Sequence, residues 1–387
     1  MNLVLGAFPY FTLPFVISLL LVPVCKYVGL KLGIYAVENE RTVHKGRIVR
    51  VGGAAIYSAF MISLAALWNA DGKLNGIMIG GALVFLGGLL DDIYDLSPKI
   101  KLLFQFAGAL AALFIGNLSL ANLHVLSFEI SNPVIVKTIS FFWLIGVTNA
   151  INLIDGLDGL SSGICSIVTM TIGIIGFFMG RRDVCVIALC LSGAILGFLP
   201  YNFHPASIFV GDCGAQFMGF TIAALSLLGF KTTAIISLGL PILVLFIPIS
   251  DTLIAIVRRK LKGQNIMAAD RGHLHHILMF KLELGHRRTV ITLYIVTAMF
   301  SLAAILTYFD PRWGIVVILL LMLVFSLFIE FTGMINPHFH PLLNLINRLT
   351  GWPKMKDGED PVDTKHEEEL EQEKKEQETE SGTQNQG

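Results

Sequence analysis

Charged residues are scarce in this chain. Asp, Glu, Lys and Arg make up only 14% of its 387 residues, while 54% are hydrophobic and the mean hydropathy is +0.72. This composition is far from that of a soluble domain and is typical of a protein that crosses a membrane several times. We therefore expect the lipid bilayer as a partner, and no nucleic acid.

Cysteines are also few, and no two of them form a CxxC pair. The chain has five, an odd number, and most of them lie within apolar runs. We interpret them as small hydrophobic side chains rather than as disulfides or zinc ligands. The N-terminus lacks the basic residues and the small-residue cleavage site of a signal peptide, so we expect its first apolar run to be a retained span.

Long apolar runs are what the chain has instead. Because about 20 apolar residues cross a bilayer as a helix, the runs predict an all-α polytopic membrane protein with about eleven transmembrane helices. The predicted spans are 5–25, 51–69, 75–90, 102–116, 134–149, 160–179, 184–200, 214–230, 234–257, 289–308 and 313–331. The loops 26–50 and 258–288 carry 14 basic residues between them. The positive-inside rule therefore places the N-terminus outside and the C-terminus in the cytoplasm.

The C-terminal tail differs in charge from the rest of the chain. Residues 354–387 hold 12 acidic and 5 basic residues, so residues 1–353 carry 23 basic against 16 acidic ones, although the formal net charge of the whole chain is zero. We predict a membrane domain over 1–335, an amphipathic interfacial segment over 336–353 and an acidic, disordered cytoplasmic tail over 354–387. The role of the tail stays open.

The segment Asn149–Leu160 places carboxylates between two apolar runs. Asp155 and Asp158 are costly to hold near hydrocarbon unless a cation, a water-filled cavity or a ligand compensates their charge. If the segment opens a helix, residues three apart share a face, and Asn152 lies a further three residues back. This pattern favours a site for a metal-bound nucleotide. The alternative is that Asp155 caps a membrane helix while Asp158 is solvated.

A second acidic motif, Asp91 and Asp92, ends a glycine-rich run. Adjacent carboxylates resist joint ionisation unless a cation is near, so the pair indicates a divalent metal or a proton relay. Lys99 and Lys101 fit an anionic head group at the membrane surface, although a lysine such as Lys99 is also ordinary on the cytoplasmic side. The pair also matches the DDxxD pattern of soluble prenyl synthases, but the soluble core and second acidic motif of such enzymes are missing from the sequence.

Two later loops carry further polar motifs. In Tyr201–Gly214, Asp212 lies between glycines and can reach a metal ion, while Phe209 either offers its ring to a nucleobase or packs in the membrane. In Asp270–His276, no Cys or HExxH spacing supports a zinc site, and phosphate is better matched to histidine and arginine. The alternative for this last motif is a solvated basic loop.

The predicted threading brings the acidic and histidine motifs of four loops to the cytoplasmic side of the membrane. A transporter would more often place its ionisable groups near the middle of its spans. The arrangement therefore favours an active site at the membrane interface.

These four motifs, in this order, resemble those of the polyprenyl-phosphate N-acetylhexosamine-1-phosphate transferase family, and the resemblance covers residues 1–335. It implies an enzyme of the bacterial cytoplasmic membrane that moves a sugar 1-phosphate from a UDP-N-acetylhexosamine to undecaprenyl phosphate and releases UMP. The active site would face the cytoplasm. The implied cofactor is Mg²⁺, with Mn²⁺ as a substitute, and a homodimer stays open as the assembly.

Two segments resemble one branch of this family. His273–His276 has the His-Leu-His-His form, and Arg41–His44 also matches the WecA and TagO branch, whereas muropeptide enzymes show Pro-x-His-His-His. The branch implies UDP-N-acetylglucosamine as donor and the first lipid-linked step of teichoic acid or polysaccharide synthesis. The alternatives are a phospho-N-acetylmuramoyl-pentapeptide transferase of peptidoglycan synthesis and, more distantly, a multi-span transporter.

The resemblance also implies roles for single residues. The residues implied in catalysis are Asp91, Asp92, Asp155, Asp158, His275 and His276. Those implied in substrate binding are Lys101, Asn152, Asn202, Phe209, Arg271 and His273. Those implied as metal ligands are Asp212, Asp155 and Asn152.

Overall fold

The computed structural model describes most of the chain in two compact units. The described residues are 2–36, 47–67, 72–120, 123–125, 128–130, 132–229, 239–264, 272–336 and 340–350. The first unit comprises Met1–Thr252 with His286–Ile318, and the second comprises Leu253–Gly285 with Leu319–Gly387. The tail predicted over 354–387 and the segment Arg41–His44 lie outside the described residues.

Helices make up nearly all of the described structure. The α-helices are α1 Asn2–Leu32, α2 Gly53–Leu67, α3 Gly72–Tyr94, α4 Pro98–Leu110, α5 Pro133–Leu153, α6 Leu160–Phe178, α7 Arg182–Asn202, α8 Gly211–Gly229, α9 Leu240–Val244, α10 Phe246–Leu261, α11 Leu274–His276, α12 Gly285–Phe309, α13 Pro311–Phe331 and α14 Pro341–Thr350. Two π-helical turns continue α4 and α11, at Ala111–Ile115 and Ile277–Lys281. Two antiparallel hairpins complete the set: β1 Tyr35–Ala36 with β2 Ile48–Val49, and β3 Leu123–Val125 with β4 Phe128–Ile130.

Nine helical segments within the described residues are long and apolar enough to cross a membrane. They are Phe8–Leu32, Gly72–Tyr94, Pro98–Ile115, Pro133–Leu153, Leu160–Phe178, Arg182–Asn202, Gly211–Gly229, Gly285–Phe309 and Pro311–Phe331. Each of them overlaps one predicted span. The prediction of a helical protein that crosses the membrane many times is therefore confirmed.

The other two predicted spans are not among these nine segments. The one over 51–69 corresponds to α2, an apolar helix of 15 described residues. The one over 234–257 lies partly outside the described residues, and the remainder forms α9 and α10, which are separated at Leu245. Pro241 and Pro248 flank this interruption, and proline accounts for it because it removes a helical hydrogen bond and clashes with the preceding turn.

Helix α8 lies at the centre of the first unit. It packs against α2, α3, α5, α6 and α7, and almost all of its side chains are buried. Its small residues allow this close packing, because a Cβ at Gly214 would lie 2.6 Å from the Cα of Gly53 and one at Gly219 would lie 2.9 Å from the Cα of Thr148. Small residues let membrane helices approach in this way. As a result, α8 presents its first turn among the ends of several other helices.

The second unit has its own polar contacts. The Glu330 carboxylate accepts hydrogen bonds from the backbone N–H groups of Leu342 and Leu343, so it caps the first turn of α14. A carboxylate is favoured at a helix N-terminus by the unpaired N–H groups and the helix dipole. Helix α14 lies inside the segment 336–353 that the sequence predicted as amphipathic.

Candidate active site

The first turn of α8 is held by a carboxylate from another helix. Asp92, near the end of α3, accepts hydrogen bonds from the backbone N–H groups of Asp212 at 2.9 Å and Cys213 at 3.0 Å. Gly211 precedes them with φ +73°, and a Cβ at this position would lie 1.7 Å from the Arg50 carbonyl oxygen. Only glycine fits that backbone conformation and that space. The glycine of the motif therefore shapes the turn that presents Asp212.

The loops on either side of this turn are paired along their backbones. Phe209 N–H donates to the Val49 carbonyl at 2.8 Å, and its own carbonyl accepts from Gly52 at 2.9 Å. The Gly53 N–H donates to the Val210 carbonyl at 2.8 Å. This short pairing joins the segment before α2 to the segment before α8, and it leaves the Phe209 ring half-buried.

Lys101 links two acidic side chains. Its Nζ lies 2.9 Å from Asp212 Oδ2 and also contacts Asp91 Oδ2. Asp91 is 2% exposed, and its other oxygen accepts a hydrogen bond from the Leu96 N–H. A buried carboxylate needs such a partner, because an unpaired charge is costly away from water. The structure thus brings Asp91, Lys101 and Asp212 from three helices into one cluster.

The segment after α5 does not form the helix on which the sequence argument for a shared face depended. Helix α5 ends at Leu153, the following residues form turns, and α6 begins at Leu160 after Gly159 with φ +79°. The condition under which Asn152, Asp155 and Asp158 would share one helical face is therefore not met. Glycine at position 159 allows the left-handed conformation that ends the turn.

Asp155 is half-buried within this turn. It accepts a hydrogen bond from the Ser161 hydroxyl. Burial raises the pKa of its carboxyl well above the usual range, and the nearby charges of Asp212, Asp92 and Asp158 raise this pKa further. A carboxyl group in such surroundings holds its negative charge only where a cation offsets the burial and the repulsion.

Asn152 carries a side-chain oxygen that is buried and accepts no hydrogen bond from any described residue. Buried polar atoms are normally paired, so an unpaired one calls for a ligand or an ion. The Asn152 oxygen and the carboxylate oxygens of Asp155 and Asp212 are hard donors, and Asp155 and Asp212 are near enough for the charge of one to affect the other. Mg²⁺ prefers such donors in proteins, so the residues present fit this ion.

Asp158 points to a different partner than Asp155. Its Oδ2 lies 2.8 Å from His204 Nδ1 and accepts the backbone N–H of Ala206 at 3.0 Å. The His204 ring stacks on the His286 ring with centroids 4.0 Å apart, and ligand atoms of the three residues lie within 4.8 Å of one another. Asp158 thus joins the turn after α5 to the loop after α7 and the start of α12.

Asn202 also connects the turn after α5 to the loop after α7, through buried hydrogen bonds. It is 3% exposed, its oxygen accepts from the Gly159 N–H at 3.1 Å and the Ser162 hydroxyl at 2.7 Å, and its amide donates to the Ile208 carbonyl at 3.1 Å. These contacts engage both ends of the amide. Its predicted role in substrate binding stays a prediction, and the structure shows that it supports the loop that leads to Phe209.

The histidine motif belongs to the second unit. His273 and His275 are 5% and 3% exposed, with ring centroids 5.8 Å apart, and the His275 and His276 rings are 4.3 Å apart. His273 is the residue before α11, and His275 and His276 lie in α11. Arg271 lies outside the described residues. The predicted phosphate contacts of these four residues stay predictions.

Several residues of this region were not singled out from the sequence. His204 contacts Asp158, the His286 ring stacks on the His204 ring, and Tyr294 on α12 donates to the Gly159 carbonyl. His204 lies inside the polar loop that contains Asp212, so its polarity was visible in the sequence. His286 and Tyr294 lie more than 120 residues from the turn that they contact, and no local pattern indicates such a contact.

Comparisons with known proteins place this chain in a family. A model of glycosyl transferase family 4 matches residues 74–230. A Bacillus subtilis (strain 168) protein described as a probable undecaprenyl-phosphate N-acetylglucosaminyl 1-phosphate transferase is 36% identical over 343 residues, which are 87% of this chain and 96% of that protein. The chain belongs to glycosyl transferase family 4.

Other members of the family show the same relation at lower identity. A Mycobacterium leprae (strain TN) decaprenyl-phosphate N-acetylglucosaminephosphotransferase is 33% identical over 316 residues, 73% of this chain and 79% of that protein. An Escherichia coli (strain K12) undecaprenyl-phosphate alpha-N-acetylglucosaminyl 1-phosphate transferase is 28% identical over 306 residues, 76% of this chain and 83% of that protein. The family resemblance that the motifs predicted is therefore confirmed. The region matched by the family model includes every acidic residue of the clusters described above.

Proposed function

We propose that this protein transfers N-acetylglucosamine 1-phosphate from UDP-N-acetylglucosamine to undecaprenyl phosphate. An oxygen of the lipid phosphate forms a bond to the β-phosphorus of the donor, the bond from that phosphorus to the bridging oxygen breaks, and UMP leaves. The observation that carries this proposal is the near full-length similarity to the Bacillus subtilis protein, whose description names an undecaprenyl-phosphate N-acetylglucosaminyl 1-phosphate transferase.

The charges of the site suit this reaction. A phosphate monoester and a pyrophosphate are both anions, so the protein must offset their repulsion and align the attacking oxygen. Lys101 supplies a positive charge beside Asp91 and Asp212, and we assign it to the lipid phosphate. Asn152, Asp155 and Asp212 would hold Mg²⁺. When bound, this ion would neutralise charge on the pyrophosphate oxygens.

The two acids of α3 have separate tasks in this proposal. Asp92 holds the first turn of α8 through two backbone N–H groups, whereas Asp91 orients Lys101. A lipid phosphate with a second pKa of ~6 is largely dianionic at pH 7, so direct attack by its oxygen needs little help from a general base. We therefore favour a direct transfer over a covalent aspartyl intermediate.

Recognition of the donor is assigned to the loops beyond these acids. The half-buried Phe209 ring is the candidate surface for stacking a uracil base. Asp158, held by His204 and the Ala206 N–H, is the candidate acceptor for a donor hydroxyl or N–H group. His273, His275, His276 and Arg271 are the candidate phosphate contacts of the histidine motif.

The orientation of the protein follows from its charge pattern. With eleven spans, an N-terminus outside and the basic loops inside, the ends of α3, α5 and α7 reach the cytoplasmic side, where a UDP-sugar is available. We propose that the bacterial cytoplasmic membrane holds the protein in this orientation. The product would be the first lipid-linked intermediate of a cell-wall polymer.

UMP release tests this function. Detergent-purified protein is incubated with Mg²⁺ and undecaprenyl phosphate, and with UDP-N-acetylglucosamine or UDP-N-acetylmuramoyl-pentapeptide as donor. We expect UMP with the first donor only, none without the lipid, and loss of the activity when EDTA removes the metal. UMP from the muropeptide donor alone would overturn the choice of sugar, and UMP from neither donor would overturn the assigned reaction.

A further inference from the structure

Three amide side chains meet inside the first unit. Gln105 of α4 donates through Nε2 to Gln216 Oε1 of α8 at 3.0 Å and to Asn149 Oδ1 of α5 at 3.3 Å. The Asn149 amide donates in return to Gln105 Oε1 at 2.8 Å. We call Gln105, Asn149 and Gln216 the amide cluster. It is a direct polar connection among three membrane-spanning helices.

Stability alone gives no reason for this cluster. Gln105 is 3% exposed and Gln216 is 1% exposed, and buried amides are costly in a membrane where leucine or methionine would fill similar space. Gln216 Nε2 is also buried and donates no hydrogen bond to any described residue. A partly satisfied polar network is less favourable than apolar packing, so another property must account for it.

The positions of the three amides relate them to the candidate active site. Gln105 lies four residues after Lys101, Gln216 lies four residues after Asp212, and Asn149 lies three residues before Asn152. Residues three or four apart share a helical face, about one turn or ~6 Å along the axis. Each member of the amide cluster therefore lies one turn from a residue that the proposed function uses.

Helices α5 and α8 pack closely, so the hydrogen bonds of the amide cluster can fix their relative position. A Cβ at Gly219, one turn beyond Gln216, would lie 2.9 Å from the Thr148 Cα on α5. Close packing limits the separation of α5 and α8, but apolar contacts between helices are not directional. Hydrogen bonds between amides have preferred distances and angles, so they also limit sliding and rotation.

We propose that Gln105, Asn149 and Gln216 are positioning residues that set the register of α4, α5 and α8. They thereby hold Lys101, Asn152 and Asp212 in the relative geometry needed for the metal ion and the lipid phosphate. This inference rests on the proposed function. Geometry of this kind matters because a displacement of about 1 Å of reacting groups can lower the rate by ~10²-fold.

The test removes the hydrogen bonds of the amide cluster and keeps the packing of its side chains. Gln105→Met and Gln216→Met introduce unbranched apolar side chains of similar length, which lose the directional contacts without leaving a cavity. We expect the thermal unfolding temperature without Mg²⁺ to be unchanged or higher. We expect kcat for UMP release to fall by about 10-fold or more, with a smaller change in KM for the donor.

A second readout does not depend on catalysis. Mg²⁺ that binds the folded protein raises its unfolding temperature in a concentration-dependent way. In the absence of both substrates, we expect the same Mg²⁺ concentration to raise the unfolding temperature less in each methionine variant than in the wild type. In Gln105→Met with Gln216→Met we expect little further loss of this rise, because both changes remove the same cluster.

Ser226→Ala is the matched control. The Trp143 indole N–H donates to the Ser226 hydroxyl at 2.8 Å, which also joins α5 to α8. Ser226 lies 14 residues after Asp212, however, or about 21 Å along the helix. We expect this variant to keep the kcat and the Mg²⁺ dependence of the wild type.

The inference is overturned if the methionine variants keep the wild-type kcat and the wild-type Mg²⁺ dependence of unfolding. It is also overturned if Ser226→Ala changes both readouts as much as they do, because the effect would then be general to α5 and α8. A wild-type protein that releases no UMP would contradict the proposed function, and the Mg²⁺-dependent unfolding would still decide whether the amide cluster positions the metal-binding residues.

Discussion

Asp91 and Asp92 are neighbours in the sequence, but their side chains have different partners. Successive residues of a helix point in different directions, so Asp91 faces Lys101 on α4 while Asp92 faces the first turn of α8. The sequence showed an acidic pair and predicted a joint role in binding a metal or moving a proton. The structure separates an acid that orients a lysine from an acid that caps a helix.

Substitutions should separate these two roles. Asp92→Ala removes the acceptor for two N–H groups of α8 and should destabilise the protein by about 1 kcal/mol, the usual cost of losing a helix cap. Asp92→Asn, which keeps an acceptor oxygen, should recover part of this loss. Asp91→Asn should instead lower kcat for UMP release by at least ~10-fold, because Lys101 loses a charged partner beside the reacting phosphate.

Thermal unfolding and UMP release, measured on the same preparations, check this separation. The assignment fails if Asp91→Asn lowers the unfolding temperature as much as Asp92→Ala does while both keep the wild-type kcat.

Asp212 is the residue on which most of the site contacts converge. It contacts Lys101 through its side chain and Asp92 through its backbone, and its charge raises the pKa of Asp155. We expect Asp212→Asn to lower kcat by at least ~10²-fold, the scale of losing one key electrostatic group. The measurement is the rate of UMP release at saturating Mg²⁺.

The control for this substitution is Asp183→Asn. Asp183 is also a paired acid, since it lies 2.8 Å from Arg181, but it belongs to the first turn of α7, at the opposite end of that helix from Asn202. Because the length of α7 separates this ion pair from the acidic cluster, kcat should stay within about 2-fold of the wild type. Near-normal turnover in Asp212→Asn would remove this residue from the metal-binding role.

At the scale of the element, the turn that begins α8 depends on a glycine for two reasons. Gly211 has φ +73°, and a Cβ there would lie 1.7 Å from the Arg50 carbonyl oxygen. Gly33 has a similar φ of +76°, but nothing lies within 4 Å of its Cβ position. The two glycines therefore differ in the space around them rather than in backbone conformation.

Alanine substitutions make use of this difference. Gly33→Ala should destabilise the protein by about 1 kcal/mol, the cost of a left-handed residue with a side chain. Gly211→Ala adds a collision with backbone, so it should lower the yield of folded protein and abolish UMP release. Size-exclusion chromatography in detergent and thermal unfolding measure both effects, and equal behaviour of the two variants would show that the close approach to Arg50 carries no cost.

The turns between α5 and α6 show why sequence spacing alone did not predict the directions of the acidic side chains in this segment. In a continuous helix, the spacing of three would place Asn152, Asp155 and Asp158 on one face. The glycines of the segment instead allow turns in which Asp155 contacts Ser161 and Asp158 contacts His204. The kink between α9 and α10 was predictable, because proline acts on its own helix. The direction of a side chain in a turn depends on partners that are distant in sequence.

At the scale of the whole molecule, the orientation in the membrane can be tested with two exposed residues of the first unit. Lys99 lies near the start of α4 and Arg312 near the start of α13. The positive-inside rule places the first in the cytoplasm and the second outside. In a chain whose five native cysteines are replaced, Lys99→Cys should react with a membrane-impermeant thiol reagent only after the cells are opened, and Arg312→Cys should react in intact cells.

Labelling of both positions from the same side would rule out the odd number of spans predicted between them. Reversed labelling would place the acidic cluster on the outer side, where a cytoplasmic UDP-sugar could not reach it.

The sequence by itself determined the class of the protein and the identity of most candidate site residues. Long apolar runs require helices in a membrane, because only hydrogen-bonded backbone is tolerated there, and carboxylates between such runs stand out because they are costly. Asp91, Asp155 and Asp212 could be recognised for this reason. The tertiary structure decided which residues act on one another: it placed Lys101 between Asp91 and Asp212, gave Asp92 to the first turn of α8, and brought Gln105 and Gln216 together across 111 residues of sequence. Such contacts depend on how helices pack, and sequence spacing along one helix carries no information about its neighbour.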